Sequence, residues 1–187
     1  MNFNDWTLEA IREEGSCFSW MEELRFNWIP QVKNALSKIL DGYSVIVVTD
    51  REFKWYSDYI VDRVNQLSKK RPFIPIYEID CIFPTAYNLN EASELDALYD
   101  MLDISFSSGY IFWYIGSGEH KHYEFIEQDK SSVIWRLNHE IEGLFSLNRS
   151  DNLVDIKLIQ AYQLFDKALD ATLIGEVELW SLNQFLR

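Results

Sequence analysis

Residues 44–67 read SVIVVTDREFKWYSDYIVDRVNQL, and a change of rhythm inside this stretch decides the fold. The opening Ser44-Val45-Ile46-Val47-Val48 is apolar without alternation, which suits a parallel strand covered on both faces. Thr49-Asp50-Arg51-Glu52 interrupts it. Beyond that turn Phe53, Tyr56, Ile60, Val64 and Leu67 recur at steps of three and four, one face of a helix.

The same unit repeats outward. Phe73 to Tyr77, Tyr110 to Ile115 and Ser132 to Trp135 are further short apolar runs. Leu95, Leu98 and Leu102 mark a helix before the second of these, and Tyr123 and Ile126 mark a shorter one after it. The alternation predicts an α/β fold: a doubly wound, mostly parallel sheet flanked by helices. Pro75 removes a ladder donor, so its strand belongs at an edge. Residues 1–40 stand apart as a helical pair, Asp5 to Glu14 stopped by Gly15 and Phe18 to Leu40 kinked or restarted at Pro30. Past residue 137 the strand signal fades. Leu158, Tyr162, Phe165, Leu169 and Leu173 then form an amphipathic helix, while a fifth strand is not located. With 187 residues the chain reads as one domain, its α/β core spanning 41–187.

Charge narrows the function. Ten Lys and Arg face 14 Asp and Glu in residues 1–93, and 7 face 16 in residues 94–187, for a net charge of −13. A surface so acidic repels the phosphates of duplex DNA, so direct nucleic-acid binding is not expected. The longest apolar runs fall far short of the ~20 residues that span a bilayer, and Met-Asn-Phe-Asn-Asp-Trp is no export signal. A cytoplasmic protein without a membrane partner is expected. Aromatic residues reach 16% of the chain, which suits either an interface or a Trp-rich core.

The search for chemistry finds little. Thr49-Asp50-Arg51-Glu52 follows the first strand without a glycine to admit a phosphate, so the expected role is capping of the next helix by Thr49 or Asp50. Gly116-Ser117-Gly118 after the third strand resembles an anion cradle, yet Glu119 opposes one and a tight turn explains the glycines. His120, His122 and His139 are expected as exposed histidines rather than metal ligands, and Cys81 as a small apolar filler. Lys69-Lys70-Arg71 reads as a basic helix terminus. No catalytic residue, cofactor or metal is expected.

Trp6, Ile11 to Gly15, Trp20-Met21-Glu22-Glu23 and Trp28-Ile29-Pro30, together with Val45 to Val48, Trp55-Tyr56, Lys70-Arg71-Pro72 and Tyr110 to Tyr114, resemble the HobA family of DnaA initiator-associating proteins. The resemblance runs over most of the chain. It implies a sugar-isomerase-like (SIS) three-layer sandwich similar to DiaA, assembled as a homotetramer. It also implies a non-enzymatic adaptor that binds the N-terminal domain of DnaA and promotes its assembly at the chromosomal origin. SIS domains that take sugar phosphates use hydroxyl-rich loops where this chain has Thr49, Asp50, Gly116, Ser117 and Gly118, a degenerate pattern. The alternative function is a sugar-phosphate isomerase or sugar-phosphate-binding SIS domain.

Phe3, Trp6, Ala10 and Ile11 share a side of the first helix, and Phe18, Met21, Leu24, Arg25 and Trp28 follow helical steps on the second. This stripe lies either between subunits or in its own core. Trp6, Glu13, Trp20, Glu22, Arg25, Trp28, Trp180 and Phe185 are the candidate interface residues.

Overall fold

Strand β1 (Ser44–Thr49) lies inside a five-stranded sheet with β2 (Ile76–Glu78), β3 (Tyr110–Gly116), β4 (Val133–Leu137) and β5 (Phe145–Leu147), in the order β2-β1-β3-β4-β5. The computed structural model describes residues 1–89, 91–119, 121–138 and 141–179. All four pairings are parallel, with Ile46 opposite both Tyr77 and Phe112. The fifth strand is only three residues long, too short for a hydrophobic rhythm to announce it.

Helices cover both faces, which explains the unbroken apolar runs. Val45, Val47, Ile111, Trp113, Val133 and Trp135 face one layer, formed by α1 (Phe3–Glu13), α2 (Met21–Leu40), α3 (Lys54–Val64) and α7 (Val154–Leu173). Ile46, Val48, Phe112, Tyr114 and Ile134 face the other, where α4 (Ile79–Ile82), α5 (Ala92–Ser105) and α6 (Lys121–Ile126) lie. The alternation of side chains along each strand thus feeds two cores.

Pro75 does sit at an edge: its carbonyl accepts from Val45 N at 2.8 Å, and no inner neighbour needs its absent N–H. Pro30 neither stops nor restarts α2, which runs through it from Met21 to Leu40. The proline is exposed, so the Phe26 carbonyl that loses its intrahelical donor lies on the wet side.

The N-terminal aromatic stripe belongs to the chain's own core. Trp28 is 0% exposed and stacks on Phe3, whose ring also stacks on Trp6, itself 7% exposed. Trp28 therefore presents no free face to a partner, a correction to its expected interface role, whereas Trp6 is largely buried but still lines a surface groove with Glu9 and Lys167. Amphipathic helices satisfy their own sheet first. Farther in, Trp113 meets Trp135 edge-on at 4.9 Å, and Phe145 and Phe165 close around the pair. Much of the aromatic surplus is accordingly a Trp-rich core.

The basic cluster does close a short helical turn, Leu67–Lys69 with Lys70 as its C-cap, but two of its charges also make ion pairs. The Arg71 side chain is 6% exposed and bridges Asp166 and Asp170 of α7 at 2.6 and 2.7 Å, while Lys69 pairs with Asp166. It fastens the loop before β2 to the last helix.

Candidate functional site

In a parallel sheet of this order the chain leaves β1 toward opposite sides for β2 and β3, and ligands gather where those carboxyl ends diverge. Here that place is a groove of about 360 Å³ lined by Asp50, Arg51, Glu52, Ser117, Glu119 and Arg149. The residues read as a vestigial ligand loop, Thr49 and Asp50 at the end of β1 and Gly116, Ser117 and Gly118 at the end of β3, are brought together.

What fills the cradle is the chain itself. The Asp50 carboxylate accepts from the Tyr114 hydroxyl, from Ser117 N and from Ser117 Oγ, each at 2.7 Å. Gly118 N in turn donates to Tyr114 Oη at 3.0 Å. Burial and then the neighbouring Asp50 carboxylate hold the Tyr114 phenol far above its usual pKa, so it remains a donor. Asp50 does not cap the turn that follows it, contrary to the reading from sequence; its side chain crosses to β3 instead. Backbone N–H, hydroxyl and phenol surround a carboxylate as they would surround a bound anion.

Glycine is required for this closure at two positions. A Cβ on Gly116 would stand 2.3 Å from Asp50 Oδ1 and 2.5 Å from the Tyr114 hydroxyl. Gly118, at φ +82°, would drive a Cβ into Arg136, whose guanidinium lies 4.4 Å above the Tyr123 ring. The two groove arginines already have partners, Arg51 with Asn88 at 2.6 Å and Arg149 with Glu52 at 2.5 Å. Three carboxylates, Asp50, Glu52 and Glu119, face these two cations, an unfavourable balance for a phosphate.

The histidine expectation fails for His122, which is wholly buried in α6 with Nε2 2.8 Å from the Ala86 carbonyl. His120 and His139 lie outside the described residues. Cys81 is exposed rather than a core filler, its thiol 3.7 Å from the Glu78 carboxylate. Among the described residues no group of three or more His, Cys, Asp or Glu is arranged for a metal. None of their helices is long and apolar enough to cross a membrane.

The other candidate surface is the outside of the helical pair. Glu22 pairs with Arg12 at 3.3 Å across α1 and α2, whereas Glu13 is exposed on a different groove, between α1 and α7, with Lys167 and Asp170. Trp20 is half-buried, its Nε1 donating to Gln160 at 2.8 Å. Arg25 stacks on Phe26 at 4.1 Å. Phe26 is 67% exposed and borders a groove of about 490 Å³ with Leu8, Ile29, Pro30 and Lys33. Sequence reasoning missed Phe26 because it followed the buried stripe on the opposite side of α2. Trp180 and Phe185 lie outside the described residues.

Fold and site together define a doubly wound parallel α/β protein whose switch-point cradle is closed by its own carboxylate. A family profile described as HobA, DNA replication regulator, matches residues 1–179, so the chain belongs to the HobA family of DNA replication regulators. The DNA replication regulator protein HobA of Helicobacter pylori is 29% identical over 184 residues, covering 95% of this chain and 99% of that protein. A crystal structure of a HobA–DnaA (domain I–II) complex from the same organism matches with a TM-score of 0.72 at 28% identity, over 95% of this chain and 99% of that one. A crystal structure of HobA from H. pylori, 24% identical with a TM-score of 0.69 over the same shares, repeats the fold.

Proposed function

We propose that this protein is a non-enzymatic cytoplasmic adaptor that binds the N-terminal region of DnaA and, as a homotetramer, gathers several initiator molecules at the chromosomal origin. The observation that carries this reading is the end-to-end likeness to a HobA chain solved together with DnaA domains I–II. The filled cradle supports it from the other side, since a sugar phosphate would have to displace Asp50 from three hydrogen bonds. An oligomer that holds several initiators raises their effective concentration and needs no reaction of its own.

The contact face in this proposal is the exposed side of α1 and α2, with Phe26 and Arg25 as the anchor and Glu22 at the rim, and Glu13 lies outside it, on the groove toward α7. Aromatic and arginine residues dominate binding energy where they are exposed beside a concave apolar surface. The acidic rim speeds association with a basic partner rather than deepening affinity. Trp20, fixed by Gln160, supports the face from its edge.

Surface plasmon resonance with immobilised DnaA domains I–II tests the reading. Binding by the natural chain and loss of at least about tenfold in affinity for Phe26→Ala are expected, from a truncation of hot-spot size. Equal affinities would remove the contact face, and no binding by the natural chain would remove the adaptor role.

A further inference from the structure

Leu179, the last described residue, stands at the mouth of the groove that holds Phe26. Val177 and Leu179 are 4% and 7% exposed, and Glu178 pairs with Asn2 in a parallel bridge, its N–H donating to the Met1 carbonyl at 3.1 Å. Parallel pairing sends the chain at Glu178 the same way as at Asn2, toward the first turn of α1. Glu176 still borders the groove between α1 and α7, with Glu9 and Ile174. Leu179 borders a different one, of about 330 Å³, with Asn4, Asp5 and Lys33. These three residues also line the 490 Å³ groove of Leu8, Phe26, Ile29 and Pro30, so the two are continuous.

Beyond Leu179 the sequence reads Trp180-Ser181-Leu182-Asn183-Gln184-Phe185-Leu186-Arg187. Four of these eight side chains are large and apolar and none is acidic, in a chain of net charge −13. The groove ahead offers matching surface: Phe26 is 67% exposed, Pro30 is exposed and Leu8 is half-buried. A water-facing apolar groove rimmed by polar residues marks a docking surface. Reach is sufficient. Lys33 and Phe26 are seven residues apart on α2, about 10 Å of helix, whereas eight extended residues span up to about 26 Å.

We propose that residues 180–187 dock in this groove when DnaA is absent, their apolar side chains against Leu8, Phe26 and Ile29. The chain then covers its own DnaA face, and the initiator has to displace the segment. The competition rests on the contact face proposed above; the docking does not. The groove toward α7 is the poorer host, because the chain has already turned away from it between Glu176 and Leu179. So short a tether holds the segment at an effective concentration in the millimolar range. A segment of millimolar intrinsic affinity then fills the groove for about half the time or more, and the apparent affinity for DnaA falls with the free fraction. Trp180 and Phe185, expected from sequence at an interface, serve it here by occupying it.

The test uses the full chain carrying Cys17→Ser and Cys81→Ser, both cysteines being exposed. Gln184→Cys is combined with Arg25→Cys on the groove of Phe26, or with Glu9→Cys on the groove toward α7, and each pair is treated with a short bismaleimide. Peptide mass mapping should show crosslinking within one chain at least about fivefold faster for the Arg25 pair, because docking concentrates the segment on that side. Phe185→Ala with Leu186→Ala should abolish the difference. Equal rates for the two pairs, an unchanged preference in the alanine variant, or product that joins only separate chains would overturn the docking. Surface plasmon resonance with DnaA domains I–II then compares the natural chain with the variant Trp180→Ala, Phe185→Ala, which should bind about threefold more tightly once the groove is free. Unchanged or weaker binding by that variant would overturn the competition. A natural chain that does not bind DnaA removes the adaptor reading, and the crosslinking rates alone then decide the docking.

Discussion

Replacing Asp50 by alanine removes the acceptor shared by Tyr114, Ser117 N and Ser117 Oγ while leaving those donors in place. An unmet buried donor costs about 1–3 kcal/mol, but the groove is open and water replaces part of the loss. The net destabilisation expected is about 2–4 kcal/mol, or roughly 10 °C in melting temperature for a chain of this size. The decisive part is the response to inorganic phosphate. With the internal carboxylate gone, the three donors face solvent beside Arg51 and Arg149. Phosphate at a hundred times its dissociation constant should then restore about 2.7 kcal/mol by mass action. Phosphate also stabilises proteins generally by exclusion from their surface, so the quantity read is the difference between variant and natural chain in matched buffers by differential scanning calorimetry. Identical phosphate responses in the two proteins would refute the view of Asp50 as a built-in anion.

Trp28→Ala should cost about 3–5 kcal/mol in urea unfolding, the usual price of emptying an aromatic core position; a change below about 1 kcal/mol would contradict its place in the chain's own core. Phe26→Ala, by contrast, should leave stability within about 0.5 kcal/mol, so that any loss of DnaA affinity is a surface effect, checked by the same unfolding curve. At Glu78, burial pushes the carboxyl up, yet the hydrogen bonds from Lys54 and Ser57 and the Lys54 charge outweigh it and hold the group below its ordinary 4.5. A depressed carboxyl stabilises the native state fully above 4.5 and ceases to as pH falls through its folded value. Lys54→Met should therefore cost about 1–2 kcal/mol at neutral pH, discounted because Lys54 is 44% exposed. Its deficit against the natural chain should shrink in acid as Glu78 protonates. A deficit that does not depend on pH between 7 and 3 would point to lost packing instead.

The sheet was legible because its inner strands bury both faces. Val45 to Val48 and Tyr110 to Ile115 carry no polar residue to confuse the rhythm, and Pro75 placed β2 correctly at an edge. β5 was not legible: three residues at the far edge make no period. The cradle was half legible. Its loops were found from their position after β1 and β3, but Asp50 meets Tyr114 and Ser117 across 64 and 67 residues of chain, a contact that no local pattern encodes. His122 misled for the same reason: the Ala86 carbonyl that meets its buried ring lies 36 residues away in the chain. The helical pair was readable in outline, yet its aromatic stripe served the core. The exposed ring proposed as the anchor, Phe26, lies on the side of α2 away from the stripe, announced only by the neighbouring Arg25 and by Pro30 four residues on.

Light scattering on a sizing column, with the chain and DnaA domains I–II mixed at micromolar concentration, goes straight to the point. The expected result is one co-eluting species whose mass accounts for a multimer of this chain carrying more than one DnaA fragment. Two separate peaks, each at the mass of its own component, would contradict the account.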